Sequence, residues 1–282
     1  MKKEYGVELK KYTTFKMGGI AEVFWTPECE NELITLLNEI EEPRYLIGGG
    51  SNLLINDEKH FSNVINLREF NRFIETKGNG VYRVGASVRL QKLINEINQD
   101  GYGGIEYLYS VPGLVGGAVY MNAGRGEKHG KSICDYIREV EVYHQGEKKV
   151  LKKEECSFSY RKSVFQDDDY LILAVILEFP KMKQEDTKAL KQQRMELCKE
   201  KQDNSAPNYG TVFCVADRHI MQLVKSTGLR KKGRVMYSSK TGNWMLNPAD
   251  GKFKDAVALI KRVEKIHSAL RKNYRVEVKI WE

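Results

Sequence analysis

Gly48-Gly49-Gly50-Ser51-Asn52-Leu53 is answered by Val111-Pro112-Gly113-Leu114-Val115-Gly116-Gly117-Ala118-Val119-Tyr120-Met121-Asn122-Ala123-Gly124, and these two stretches decide the fold. Tyr45-Leu46-Ile47 precedes the first glycines and Leu53-Leu54-Ile55 follows them. An apolar run, a tight polar turn and a second apolar run predict strand, loop, strand. Three consecutive glycines remove every Cβ from the turn, so successive N–H groups can face one way and close on an anion. Ser51 and Asn52 add side-chain donors at its mouth. In the second stretch Pro112 fixes the entry, and Gly116-Gly117 allow close approach. Two such cradles point to a ligand with two phosphates and a long body. Glycine pairs also serve packing alone. Neither stretch continues into the Lys-Thr/Ser of a Walker loop or has the G-x-G-x-x-G spacing that opens a Rossmann helix. The residues themselves therefore predict phosphate binding without naming the ligand.

The chain's 282 residues suffice for two or three packed subdomains. An apolar fraction of 41% with 30% charged residues is that of a soluble globular protein. No apolar run approaches a membrane span, and Met1-Lys2-Lys3-Glu4-Tyr5 leads into no hydrophobic signal region. A cytoplasmic protein without a membrane partner is expected. Cys29, Cys134, Cys156, Cys198 and Cys214 are scattered, odd in number and free of C-x-x-C pairs. That pattern predicts reduced thiols, with neither a disulfide frame nor a metal site. A net charge of +8 would suit nucleic acid, but the basic residues are mixed with acids and carry no RNP-type or helix-turn-helix signature. Small anions are the preferred ligands, and no nucleic acid is expected.

Along the chain, Ala21 to Trp25 reads as a strand and Glu30 to Ile40 as an amphipathic crossover helix. A second unit opens after Val64-Ile65-Asn66-Leu67, with a strand over Val81 to Ala86 and a helix over Leu90 to Ile97. Residues 137–144 and 170–179 are strand-like, and within the latter Tyr170 to Leu177 is a continuous apolar run that fits a buried strand. Lys181 to Gln202 reads as a solvated connecting helix. Helices are predicted over Ile220 to Thr227 and Ala256 to Leu270. Tyr274 to Trp281 alternates as one strand, in which a solvent-facing Glu277 is the ordinary outcome.

The two glycine stretches resemble the flavin-binding loops of the UDP-N-acetylenolpyruvoylglucosamine reductase family. There a GGGSN(L/I)L loop and an (I/V)PG-x-(V/I)GGA-x-x-MNAG segment grip the pyrophosphate and isoalloxazine of FAD. Tyr12-Thr13-Thr14-Phe15-Lys16-Met17-Gly18-Gly19 resembles the family's N-T-F-x-(I/M)-G-G, and Ser159 to Phe165 its Y-R-x-S-x-F. The resemblance implies an α+β fold: a two-subdomain FAD-binding module of the PCMH/vanillyl-alcohol-oxidase type plus a smaller α/β substrate domain. The expected divisions are 1–67, 68–180 and 181–282. Non-covalent FAD would be bound by Gly48, Gly49, Gly50, Ser51, Asn52 and Leu53, by Ala86 of a G-A-x-V-x-L turn, and by the second stretch. In that stretch the resemblance marks Pro112, Gly113, Val115, Gly116, Gly117, Ala118, Met121, Asn122, Ala123 and Gly124. Ala86 would equally have to be small for helix–strand packing.

The same resemblance assigns chemistry. Arg161 falls on the arginine that meets the enolpyruvyl carboxylate, a task suited to a planar guanidinium fork. By itself an Arg beside a Lys is an ordinary surface residue. Glu277 falls on the glutamate that helps polarise the enol, and Thr211 on the serine that delivers a proton. Tyr160, Asn208 and Asn243 would line the substrate pocket. NADPH would reduce FAD, and after NADP⁺ leaves, the UDP-sugar would accept hydride in the same cleft. A monomer of the compact subgroup is implied. The last third departs from its relatives. Thr211 stands for serine, Cys214-Val215-Ala216 for Lys-Asn-Pro and Thr241 for histidine, and a further serine is kept by Ser239 or lies a residue off. The rival reading is a flavin oxidoreductase on this scaffold with another substrate.

Overall fold

The computed structural model describes residues 1–125 and 130–282. The chain forms two compact units, one of Met1–Lys3, Trp25–Gly49 and Ile65–Cys198, the other of Glu4–Phe24, Gly50–Val64 and Lys199–Glu282. The first elements in chain order are β1 (Lys2–Glu8), β2 (Ile20–Thr26), α1 (Glu30–Glu39), β3 (Arg44–Ile47), β4 (Leu53–Ile55), β5 (His60–Asn66), β6 (Ile74–Gly78), β7 (Val81–Gly85) and α2 (Leu90–Gln99). Then come α3 (Val115–Tyr120), β8 (Ile137–His144), β9 (Glu147–Lys152), β10 (Leu171–Glu178) and α4 (Gln184–Lys201). The chain ends with β11 (Asn208–Thr211), β12 (Phe213–Val215), α5 (Arg218–Ser226), β13 (Lys231–Lys232), β14 (Val235–Tyr237), β15 (Trp244–Leu246), α6 (Phe253–Ala269), β16 (Arg275–Val276) and β17 (Lys279–Trp281). Strands β1-β2-β5-β3 form a four-stranded sheet.

The first unit is built on an antiparallel five-stranded sheet in the order β6-β7-β10-β8-β9. Strand β10 lies at its centre, with Val175 opposite Val84 on one side and Val140 on the other. A strand flanked on both sides and covered on both faces has no solvent side, which is why Leu171 to Leu177 is apolar, with the exposed Glu178 at the strand's end. Helix α2 buries Leu90, Leu93, Ile94 and Ile97 completely, the one-face spacing of an amphipathic helix.

The second unit holds the antiparallel sheet β11-β15-β14-β13, with α5 and α6 contributing to its core. Helix α6 turns Ala256, Leu259, Ile260, Val263 and His267 inward. His267 is fully buried, and its Nε2 accepts the Asp217 N–H at 2.9 Å. The proton therefore sits on Nδ1, which donates to the Val263 carbonyl at 2.8 Å, so the ring is a neutral, satisfied core group. The Asp217 carboxylate caps α5 by accepting the N–H groups of His219 and Ile220.

Two expectations change. Tyr274 to Trp281 is not one strand: β16 pairs antiparallel with β12, β17 pairs in parallel with β4, and Glu277-Val278 lies between them. The alternation is real, but the chain changes partners at Glu277, which is half-buried. The second glycine stretch is not an open turn throughout either, because Val115–Tyr120 folds into the helix α3.

Candidate functional site

Within the first unit the two glycine stretches lie side by side. A Cβ on Gly49 would stand 3.5 Å from the Gly113 Cα and 3.6 Å from the Pro112 carbonyl oxygen, and one on Gly48 3.7 Å from Leu114 Cδ1. Arg68 grips the first turn from the carbonyl side. Its Nε donates to the Gly48 carbonyl at 2.8 Å and its Nη2 to the Gly49 carbonyl at 3.2 Å. The N–H groups of Gly49 and Gly50 meet no acceptor among the described residues.

Helix α3 divides the work of its two glycines. Val115 and Gly116 donate their N–H groups to the carbonyls of Val88 and Ala86, both at 2.9 Å. A Cβ on Gly116 would stand 2.9 Å from the Ala86 Cβ, so Gly116 and the buried Ala86 are small because they pack together. A Cβ on Gly117 would meet nothing within 4 Å, which leaves open space over that backbone. Ala118 is buried, while Met121 and Ala123 are half-buried, and the Ala123 N–H closes the helix on the Ala118 carbonyl at 2.7 Å. Asn122 staples the end of the stretch, donating from Nδ2 to the Ser159 carbonyl at 2.9 Å and accepting the Cys134 N–H at 3.3 Å.

Tyr160 and Arg161 are the central residues of a tight turn closed by two Ser159–Lys162 backbone bonds of 3.1 Å. Arg161 has φ +56°, a left-handed conformation that costs a non-glycine residue about 1 kcal/mol or more and recurs at functional sites. Its guanidinium donates to the carbonyls of Asn122 (3.3 Å) and Gly124 (2.7 Å) and lies 5.5 Å from the Tyr160 ring centre. Ser163 Oγ, fully buried, donates to the Tyr120 carbonyl at 2.7 Å. The Y-R-x-S-x-F segment is thus tied to the second glycine stretch.

In the second unit the turn's other half meets the N-terminal motif. Gly50 has φ +64°, and a Cβ there would collide with the Tyr12 carbonyl oxygen at 1.9 Å. The Thr14 N–H donates to the Gly50 carbonyl at 3.0 Å. The buried Thr14 hydroxyl oxygen has no hydrogen-bond partner among the described residues. Asn52 Nδ2 donates to the Glu277 carbonyl at 3.1 Å, the Glu277 N–H to the Val212 carbonyl at 2.8 Å, and the Val212 N–H to the Asn243 carbonyl at 2.9 Å. This chain of bonds gathers Asn52, Thr211, Asn243 and Glu277. Leu53 pairs with Lys279 in the β4–β17 ladder, and half-buried Ser51 lies in the turn before it.

Asn243 commits its amide to one peptide, donating to the Phe213 carbonyl at 2.7 Å and accepting its N–H at 3.1 Å. Asn208 is spent on its own turn, accepting the Gly210 N–H and donating to the Ala206 carbonyl, both at 3.1 Å. Both asparagines hold the backbone around Thr211. The serine after β14 that enters a network is Ser238, not the exposed Ser239. Ser238 Oγ donates to the Asp203 carboxylate and accepts the N–H groups of Lys240 (3.0 Å) and Thr241 (2.8 Å). Burial alone would raise the Asp203 carboxyl pKa; hydrogen bonds from Ser205 and Ser238 outweigh it and hold the group below its usual range. Arg275 Nε lies 3.0 Å from Cys214 Sγ.

Sequence reasoning missed Arg68, the Thr14 hydroxyl and Asp203, and reached Ser238 only as the place a residue off Ser239. Only Thr14 lies within a quoted motif; the others follow no local pattern. All five cysteines are free thiols, and among the described residues no cluster of His, Cys, Asp and Glu could hold a metal ion. No described helix is long and apolar enough to cross a membrane.

In the first unit the unspent N–H of Gly49 and the open backbone at Gly117 fit a flavin dinucleotide. Residues 21–150 match the FAD binding domain family. A UDP-N-acetylenolpyruvoylglucosamine reductase of Thermotoga maritima is 33% identical over 97% of this chain and 97% of its own. That of Halalkalibacterium halodurans is 31% identical over 96% and 92%. The crystal structure of the Thermus caldophilus reductase superposes with a TM-score of 0.81 at 28% identity, covering 100% of this chain and 98% of that one. The α+β architecture is accordingly that of a two-subdomain FAD-binding module with a C-terminal domain, and the chain belongs to the UDP-N-acetylenolpyruvoylglucosamine reductase family.

Proposed function

We propose that this chain is an FAD-dependent oxidoreductase that uses NADPH to reduce UDP-N-acetylglucosamine enolpyruvate to UDP-N-acetylmuramate in peptidoglycan synthesis. The observation that carries the reading is the contact of Gly48-Gly49 with Pro112-Gly113-Leu114, beside N–H groups left without acceptors. Bound FAD supplies a hydride carrier between NADPH and the sugar nucleotide. The N–H groups of Gly49 and Gly50, with Ser51, Asn52, Leu53 and the Thr14 hydroxyl, hold its diphosphate, and Pro112 to Gly124 with Ala86 shape the seat for its rings. The first loop holds no histidine, which counts against covalent attachment there.

Arg161 pairs its planar guanidinium with the enolpyruvyl carboxylate, and Glu277 helps polarise the enol. Thr211 donates the proton that completes the reduction. Tyr160 lines the pocket, while Asn208 and Asn243 serve the substrate by fixing the backbone that carries Thr211. By role, 1–67 and 68–180 serve the cofactor and 181–282 the substrate, in a cytoplasmic monomer. The test is anaerobic: the purified yellow protein is reduced with NADPH and mixed rapidly with the enolpyruvyl sugar nucleotide. Flavin reoxidation is expected, and its absence removes the assigned substrate. Cys214-Val215-Ala216, in place of Lys-Asn-Pro, favours a second reading, a different substrate on the same scaffold. That reading gains if NADPH reduces the flavin and this sugar nucleotide leaves it reduced.

A further inference from the structure

The guanidinium of Arg68 reaches two consecutive carbonyls of the first glycine turn, Gly48 at 2.8 Å and Gly49 at 3.2 Å. In a trans peptide the C=O and N–H point in opposite directions. Holding both carbonyls on one side therefore turns the N–H groups of Gly49 and Gly50 to the other, where no described residue accepts them. Glycine has no side chain to prefer that orientation and loses more freedom on ordering than any other residue. A rigid, permanently charged fork suits the task, because it holds two acceptors in one fixed geometry. Its positive charge also stands at the negative ends of two peptide dipoles, which raises the potential at their N–H ends. The base of the side chain is itself anchored. The Arg68 N–H donates to Asn66 Oδ1 at 3.3 Å, Arg72 Nε donates to the Arg68 carbonyl at 2.8 Å, and buried Asn66 donates to Thr26 Oγ1 at 3.2 Å.

We infer that Arg68 is a positioning residue for the dinucleotide's diphosphate, acting through the Gly48 and Gly49 peptides rather than by contact with the anion. The inference rests on the reading that this turn holds the FAD diphosphate. It extends that reading to a side chain outside both glycine stretches.

The test strips flavin from wild type, Arg68→Met and Arg68→Lys, then titrates each apoprotein with FAD by quenching of flavin fluorescence and records its thermal unfolding without FAD. Arg68→Met removes the donors to the Gly48 and Gly49 carbonyls, which is expected to raise the FAD dissociation constant about 10- to 100-fold. The apoprotein unfolding midpoint should stay within about 2 °C of wild type, a shift that corresponds to less than about 1 kcal/mol for a chain of this size. Arg68→Lys keeps the charge without the fork, and an intermediate loss of about 3- to 10-fold is expected. Should Arg68→Met fail to fold, Arg68→Lys decides alone. FAD affinity within twofold of wild type in a folded Arg68→Met, or in Arg68→Lys when that variant decides alone, overturns the inference. So does a fall in apoprotein stability large enough to account for the whole loss, which would make Arg68 merely structural. A wild-type protein that takes up no FAD defeats the functional reading itself, an outcome distinct from variants that bind as well as a competent wild type.

Discussion

At the residue scale the most exposed assumption is Thr211, which falls where the family resemblance implies a serine. Its backbone is held from both sides: Thr211 pairs with Trp244, and the next peptide is bonded to Asn243 and Glu277. Valine has the same branched shape without the hydroxyl, so Thr211→Val removes the proton while the backbone stays in place. Loss of a positioned general acid is expected to slow flavin reoxidation by the sugar nucleotide about 10²- to 10⁴-fold, while reduction by NADPH stays near wild type. Thr211→Ser should retain most of the rate. Rapid-mixing measurement of the two half-reactions separates these outcomes, and equal slowing of both would remove the assigned role. Asp203 makes stability depend on pH. Its folded pKa is depressed, so its stabilising contribution is complete above its ordinary pKa of about 4 and fades as pH falls through the lower folded value. Arg161 was placed by its motif, yet no sequence pattern announced that its guanidinium would lie on the Asn122 and Gly124 carbonyls. Contacts of that kind depend on how separate segments fold together.

At the element scale α3 shows why a motif can be read correctly in place and only partly in mechanism. The run of small residues was visible, but its helical backbone was not, since glycine disfavours helix interiors and tertiary packing overrides propensity here. Gly116 and Gly117 then make opposite demands that the letters alone do not separate. Gly116→Ala drives a Cβ to 2.9 Å from Ala86 Cβ and 3.2 Å from its carbonyl oxygen, neither of which is a flexible end. A loss of about 1 to 3 kcal/mol of apoprotein stability is expected. Gly117→Ala meets only open space and relieves helix entropy, so the apoprotein should gain about 0.5 to 1 kcal/mol. If the cofactor lies over that backbone, the same methyl weakens FAD binding. Denaturant titration of both apoproteins, with FAD titration of Gly117→Ala, checks the pair; equal effects of the two substitutions on stability would contradict the packing described. The C-terminal strand failed for a related reason. Period-two alternation marks which residues turn inward, but it cannot mark the change of partner at Glu277, because both halves keep the same pattern.

At the scale of the whole molecule, periodicity placed nearly every helix and the central strand β10, because one-sided burial leaves a local trace. The two compact units leave none: each is assembled from three separated segments. Cofactor binding by a chain assembled this way should report on its folded state. FAD bound by the native state and not by the unfolded chain stabilises by mass action, about 2.7 kcal/mol at a hundredfold excess over its dissociation constant. For a chain of this size each kcal/mol moves the midpoint by about 2 to 4 °C, so saturating FAD is expected to raise it by about 5 to 10 °C. With a net charge of +8 and a dianionic ligand, part of that affinity is long-range attraction. The Debye length falls from about 10 Å at 0.1 M salt to about 3 Å at 1 M, so the shift measured at fixed FAD should shrink as salt is added. A thermal scan of apoprotein and FAD-saturated protein at the two salt concentrations reads both effects. An unchanged midpoint with FAD present means that no folded form of this chain holds the dinucleotide. A shift insensitive to salt instead places the affinity in short, desolvated contacts at the glycine turn, the contacts that Arg68 is inferred to set.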